Sequence, residues 1–223
     1  MKRCVVIFSG GKESVFSLLE AKSQGYEIVD LLFLEKPGFS VHKVNLPAVK
    51  AVAKMLGYEL KTISVGEEIE KDEGLIRYLR EQERKGLNTL VTGNVKLEEH
   101  HEIYESLCER ARLELVEPLK GLDTLELLME YSKIDLQFMI IGIRDDELDS
   151  KWLGEIVTRQ NFEGFLTDVL SRGIDPCGEY GEYHTLVTGL KEAKVSLRPV
   201  KIEKIDNNMN YILIDVLGNS NSF

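Results

Sequence analysis

Two hydrophobic rhythms alternate along the chain. Short continuous apolar runs are separated by stretches in which apolar residues recur every three or four positions. Cys4 to Phe8 is the first such run, the pattern of a strand covered on both faces. Val15, Leu18 and Leu19 then follow helical spacing, and Gly25 supplies a stop. Glu27 to Leu34 predicts a second strand, Leu60 to Val65 a third and Leu87 to Thr92 a fourth. Between the second and third, Val49, Val52, Ala53 and Leu56 mark a helix, with Pro47 near its start and Gly57 at its end. Glu67 to Arg84 predicts a charged helix whose acids come first and whose bases gather later, matching the helix dipole. Glu99 to Arg112, Leu115 to Val116, Thr124 to Tyr131 and Phe138 to Ile143 continue the alternation. The pattern predicts an α/β fold, a doubly wound and mostly parallel sheet of Rossmann type.

After Arg144 the rhythm changes. Asn161 to Arg172 predicts a helix, and Gly173 to Glu182 is a loop rich in glycine and carboxylates. Val200 to Ile205 and Tyr211 to Val216 predict a terminal hairpin turning at Asn207-Asn208. The expected organisation is an α/β nucleotide-binding domain over residues 1–145 and a smaller α+β portion over 146–223, which carries the late glycine-rich loop.

Composition narrows the classes. The chain has 223 residues, 43% hydrophobic and 30% charged, which suits an ordinary globular protein. Its net charge of -10 opposes a sequence-independent grip on nucleic acid, so no stable nucleic-acid partner is expected. The apolar runs are too short to span a bilayer and no signal-peptide pattern precedes Cys4, so a cytoplasmic location and no membrane partner are expected. Cys4, Cys108 and Cys177 are scattered without a CxxC pair, which removes zinc-knuckle and thioredoxin-type readings. Cys4 and Cys108 read as small buried hydrophobes, whereas Cys177 lies in the unusual late loop and stays open between packing and thioester chemistry.

Two stretches carry chemistry. The first is Ser9-Gly10-Gly11-Lys12-Glu13-Ser14, directly between the first strand and the first helix. Two glycines allow a sharp turn and close approach to a ligand, and the amides of the following helix point at it. Lys12 adds a positive charge, and the Ser9 and Ser14 hydroxyls add donors. The spacing is not that of the GxxxxGK[ST] loop; strand, Ser, Gly-Gly, Lys, acid and Ser together predict a nucleotide-phosphate cradle rather than an ordinary turn.

The second stretch runs Gly173-Ile-Asp-Pro-Cys-Gly-Glu-Tyr-Gly-Glu-Tyr-His-Thr185. Glu179 and Glu182, spaced by Gly178 and Gly181 and followed by His184 and Thr185, form a dense polar group able to hold an ammonium ion, orient an amine or act as an acid/base pair. A solvated surface turn would not call for His and Thr at these positions.

SGG-K-[DE]-S after the first strand resembles the fingerprint of the N-type ATP pyrophosphatases, the PP-loop superfamily. With GEYGEYHT, the resemblance extends over nearly the whole chain to the diphthine–ammonia ligase family within that group. It implies an adenine nucleotide α-hydrolase-like fold and ATP with Mg2+ as cofactors. It implies cleavage between the α and β phosphates, adenylation of a carboxylate, and displacement of AMP by ammonia to give an amide. The partners would be ammonium and a carboxylate, in the namesake reaction the modified histidine of elongation factor 2. Carried onto this chain, Ser9, Gly10, Gly11, Lys12, Glu13 and Ser14 would hold the nucleotide, with Phe33, His42, Gly93 and Asn94 at the carboxyl ends of the strands and the loops after them. Glu105, Gly178, Glu179, Gly181, Glu182, His184 and Thr185 would line the acceptor side, and Lys12, Glu179, Glu182 and His184 would be catalytic. No protein metal ligand is assigned.

The middle of the chain departs from the diphthamide-type pattern. In Gly93-Asn-Val-Lys-Leu-Glu-Glu-His-His-Glu-Ile-Tyr-Glu-Ser-Leu-Cys108, Glu105 and Cys108 fall in place, but His101 and Ile103 occupy arginine positions, and Lys120 replaces a tryptophan. The run is similar to a second branch of the family that also favours DPCGE-x-GE. This leaves open a small-molecule carboxylate, as in cofactor salvage. His100 and His101 point about 100° apart on a helix, so they read as a polar rim facing the nucleotide rather than a joint metal site. A tRNA-modifying PP-loop enzyme and a non-catalytic ATP sensor are the alternatives from other classes; oligomeric state is open, a homo-oligomer included.

Overall fold

In the computed structural model, the structure describes residues 2–144, 146–205 and 209–217. The elements in chain order are β1 (Arg3–Ile7), α1 (Lys12–Ser23), β2 (Glu27–Glu35), α2 (Val41–Val44), α3 (Leu46–Met55), β3 (Leu60–Ser64), α4 (Glu73–Glu83), β4 (Thr89–Val91), α5 (Glu98–Ala111) and β5 (Glu114–Val116). They continue with α6 (Thr124–Lys133), β6 (Leu136–Arg144), β7 (Ile156–Val157), α7 (Phe162–Ser171), β8 (Tyr183–Leu190), β9 (Ala193–Lys194), β10 (Leu197–Ile205) and β11 (Met209–Val216). Contacts divide the chain into two compact units. The first holds the chain up to Ser9, Glu13–Gly38 and Tyr58–Leu122; the second holds Gly10–Lys12, Phe39–Gly57 and the chain from Asp123 onward.

The first unit is built on a five-stranded sheet in the order β3-β2-β1-β4-β5, every pair parallel. This is the doubly wound α/β arrangement that the alternating rhythm predicts. Cys4, Val5 and Val6 are wholly buried because β1 is central and covered on both faces. The charged helix predicted over 67–84 is shorter: Asp72 accepts the Leu75 amide at 2.8 Å and starts α4 at Glu73. Leu75, Ile76 and Leu79 of α4 and Leu107, Cys108 and Ala111 of α5 complete the core with Val5, Leu32 and Leu90.

Strand order runs outward from β1 in both directions, so the carboxyl ends of β1 and β4 form the topological switch point, the place where such sheets bind ligands. SGGKES follows β1, and Gly93-Asn94 follows β4.

The second unit holds a six-stranded sheet, β10-β11-β6-β8-β9 with β7 paired to β6, all antiparallel. The predicted terminal hairpin is the β10–β11 pair, which closes with Ile205 opposite Met209. Its Asn207-Asn208 turn lies outside the described residues. Residues 39–57 and 123–145, which the sequence pattern groups with the amino-terminal portion, belong to this unit as far as they are described. The apolar run Phe138 to Ile143 is thus an antiparallel centre strand, not a further parallel one. Asn45, 1% exposed, holds this unit together: its amide donates to the Val41 and Ile212 carbonyls at 2.9 and 2.8 Å and accepts the Ile214 amide at 2.9 Å.

Candidate active site

The phosphate turn is built from both sides of its own sequence. Gly10 has φ of +78°, a left-handed conformation that favours glycine, and a Cβ there would lie 2.9 Å from the Leu186 side chain. Its carbonyl accepts the Val187 amide at 2.8 Å, fixing the turn to β8. α1 then starts at Lys12, whose amide donates to the Thr185 hydroxyl at 3.2 Å. Ser9 and Ser14 share a hydroxyl contact of 3.3 Å. Gly93 serves a close approach: a Cβ there would sit 3.0 Å from the Glu13 carbonyl carbon and 3.1 Å from the Ser14 nitrogen. Only glycine lets the end of β4 press against the first turn of this twelve-residue helix.

Lys12 is 2% exposed. Its ammonium donates to the Cys177 carbonyl at 2.7 Å and lies over the Tyr183 ring at 4.7 Å from the centroid. Side chain and backbone of one residue therefore reach the middle and the end of the late stretch, Cys177 and Thr185. The two stretches singled out by the sequence meet here, 165 positions apart.

The late loop is cross-braced from within. Asp175, 8% exposed, accepts the Thr124 hydroxyl at 3.0 Å and the amides of Cys177 and Glu179 at 2.9 and 3.4 Å. Glu182, 5% exposed, accepts the amides of Asp175 at 3.1 Å and Tyr180 at 2.9 Å. Arg144 donates to the Tyr180 carbonyl at 2.7 Å, and it passes where a Cβ on Gly181 would stand, at 2.8 Å. Gly178, at φ +73°, leaves room for the Tyr183 ring, whose hydroxyl donates to the Pro176 carbonyl. The Cys177 thiol is buried and donates to the Thr124 carbonyl at 3.3 Å. Tyr180 stands 59% exposed at the loop tip.

His184 is held at a pKa of about 4, first by burial and then by the charges of Lys12 and Arg144, so its imidazole is neutral at pH 7. It meets His42 edge to face at 6.0 Å between ring centroids. His42 lies in the short helix α2, one turn long, rather than in an open loop.

In the first unit, Phe33 is 5% exposed within β2. Asn94 donates to Glu117 at 3.1 Å, and its side-chain carbonyl oxygen is buried with no partner among the described residues. Glu117, which sequence reasoning passed over, is a hub: it also accepts the Thr92 hydroxyl at 3.0 Å and lies 2.5 Å from His101 Nδ1. Its one sequence signal is an acid at the carboxyl end of an edge strand, directly before Pro118. Glu105, four residues beyond His101 on α5, lines a cavity of about 440 Å³ with His101 and Glu117. Burial, with Lys36 next, holds His100 below the ordinary histidine range.

A parallel sheet with a glycine turn and a helix amino terminus at its switch point defines a nucleotide-phosphate-binding α/β protein. Sequence comparison narrows that class: residues 1–115 match the family model described as diphthamide synthase N-terminal domain, and residues 123–213 match its C-terminal domain. The chain belongs to the diphthamide synthase family. It is similar to the human protein named diphthine–ammonia ligase, 26% identical over 210 residues that cover 82% of this chain and 77% of the relative. The zebrafish (Danio rerio) protein of the same name is 25% identical over 213 residues, covering 82% and 80%. The protein of that name from Schizosaccharomyces pombe is 27% identical over 202 residues, covering 81% of this chain and 33% of the relative. A crystal structure described as a predicted subunit of tRNA methyltransferase from Methanocaldococcus jannaschii superposes with a TM-score of 0.46 at 19% identity, over 86% of this chain and 100% of that one. The resemblance drawn from SGGKES and GEYGEYHT is thereby borne out at the level of family. No helix among the described residues is long and apolar enough to cross a membrane.

Proposed function

We propose that the protein is an ATP-dependent ligase that adenylates the carboxylate of diphthine on elongation factor 2, releases pyrophosphate, and replaces AMP with ammonia to form the amide. The observation that carries this reading is the double attachment of Lys12: its amide meets Thr185 and its ammonium meets Cys177, joining the phosphate turn to the acceptor loop. A phosphate-binding protein with no acceptor chemistry would have no use for a braced carboxylate loop at that position. The relatives' shared name supports both the acceptor and the nucleophile.

The residues present fit ATP. The Gly10 turn, the α1 amides that follow Lys12 and the Ser9 and Ser14 hydroxyls supply neutral donors of the kind that hold a polyphosphate, and bound ATP would supply the adenylyl group. Gly93 and Asn94 sit beside that helix start, and the partnerless Asn94 oxygen is an acceptor suited to a hydroxyl or amino donor of the nucleoside. Among the described residues no group of three or more His, Cys, Asp or Glu side chains could hold a metal ion. Mg2+ bound together with ATP would offset the phosphate charge.

The chain's own contributions follow from the site. Gly10, Gly11 and the α1 amides bind the phosphates; Lys12 fixes the late loop. The neutral His184 imidazole can accept a proton without first losing one. Glu182 spends both carboxylate oxygens on backbone amides, and Asp175 one on amides and the other on the Thr124 hydroxyl, and so they shape the acceptor loop. The test is product analysis with Mg-ATP, ammonium and diphthine-bearing elongation factor 2. AMP, pyrophosphate and amide in equal amounts support the reading; ADP and phosphate overturn it.

A further inference from the structure

The nucleophile in this reaction must be ammonia, yet ammonium is the form present at neutral pH. A base raises the share of ammonia, and besides His184 in the late loop the first unit holds one that no relative's name or sequence motif assigns. Glu117, its side chain 4% exposed, is fixed by donors from Thr92 and Asn94 and lies 2.5 Å from His101 Nδ1. In the tautomer that donates from Nδ1 to this carboxylate, Nε2 presents its lone pair. Nε2 lies 3.9 Å from a Glu105 oxygen, and all three side chains line the 440 Å³ cavity between α5 and β5. Leu113, Leu115, the buried Cys108 and a further acid, Glu109, also line this cavity. Lys120, paired with Glu98 at 3.4 Å, lines the cavity as well, but the acids Glu105, Glu109 and Glu117 outnumber it, and an imidazole among them suits a small protonated amine. The dyad stands at the carboxyl ends of β4 and β5, and Asn94, which braces it, follows the Gly93 that packs on the start of α1.

We propose that His101 and Glu117 form a base dyad that takes the proton from an ammonium ion held in this cavity; the proposal rests on the ligase reading above. The N–H bond of ammonium breaks, its electron pair stays on nitrogen, and the proton moves to His101 Nε2. The ammonia released forms the C–N bond to the activated carbonyl as the C–O bond to AMP breaks, AMP leaving with that electron pair. The surplus proton on the amide nitrogen passes to solvent, and the imidazolium returns its own proton to solvent past Glu105. Glu117 is a positioning residue: it orients the ring and lies beside the charge that forms.

The experiment compares ammonium with hydroxylamine, which is largely unprotonated at neutral pH and needs no base to become a nucleophile. With Mg-ATP and diphthine-bearing elongation factor 2, His101→Asn keeps a donor toward Glu117 but removes Nε2. Ammonium-dependent amide formation is expected to fall about 10²-fold, the ordinary range for loss of a general base. Hydroxamate formation with hydroxylamine is expected to stay within a few-fold of the unmodified protein. Glu117→Gln should show the same split with a smaller loss. Ammonium turnover retained by His101→Asn, or an equal fall with both nucleophiles, overturns the dyad. Failure of the unmodified protein to form amide at all overturns the ligase reading instead. A second measurement needs no variant. In the unmodified chain with 15N-labelled histidine, ammonium chloride should shift the His101 Nε2 resonance and tetramethylammonium chloride should not. No difference between the two salts overturns the proposal.

Discussion

Glu182→Gln tests the acceptor loop most sharply, because it is nearly isosteric and changes only what the carboxylate can accept. Both oxygens of Glu182 take backbone amides, from Asp175 at 3.1 Å and Tyr180 at 2.9 Å, in a site 5% exposed. An amide side chain can accept one of these N–H groups but turns its own donor toward the other. A hydrogen bond to a charged group contributes about 1.5–3 kcal/mol, and a buried donor left unsatisfied costs about as much, so the loop should loosen by about 2 kcal/mol. That corresponds to roughly thirtyfold faster opening at the amides concerned. Hydrogen exchange followed by mass spectrometry over residues 174–182 reads this directly. Misplacing the loop by about 1 Å should lower amide formation about 10²-fold, and ATP affinity should fall far less, because the Gly10 turn is held by β8 through the Val187 amide rather than by residues 174–182. Unaltered exchange at Asp175 and Tyr180, or normal amide turnover, would refute the role given to Glu182.

Other outcomes follow from the same geometry. Gly93→Ala places a Cβ 3.0 Å from the Glu13 backbone, and should cost about 1–3 kcal/mol in urea denaturation and weaken ATP binding by about tenfold. His184 sits at a pKa of about 4 against an ordinary 6.5, so the unfolded chain binds its proton first on acidification. Its contribution is complete above pH 6.5, falls away between 6.5 and 4, and is gone below 4. Between pH 7 and 5 the unmodified protein should lose about 2 kcal/mol more stability than His184→Gln. Burial pushes the Cys4 and Cys108 thiols up to about 12. Iodoacetamide should therefore label them only at the rate of unfolding, and fast labelling in the folded protein would contradict their burial.

The parallel sheet was legible because its inner strands β1 and β4 are buried and appear as apolar runs between helical stretches. The same property hid β6. Phe138 to Ile143 is as apolar as any parallel strand, and nothing local in a buried strand reports the direction of its neighbours. SGGKES and the late loop were legible as chemistry because glycine, acid, His and Thr crowd into short windows. The destination of the Lys12 side chain was not, since its carbonyl partner lies 165 positions away and carbonyls leave no trace in sequence. Glu117 escaped for a related reason: its partners Thr92, Asn94 and His101 stand 25, 23 and 16 positions off, on two other segments. Two adjacent histidines in an acid-rich run read as a rim, and only the fold shows that one of them turns inward to a buried carboxylate.

The central claim is that the phosphate turn and the braced loop together activate a carboxylate for amidation. The most direct measurement is the fate of ATP labelled in its α-phosphate when the protein meets diphthine-bearing elongation factor 2 and ammonium. The account predicts label in AMP, one pyrophosphate released per AMP, and one amide formed on the modified histidine. Label remaining in ADP, or AMP formed at the same rate without the acceptor, would contradict it.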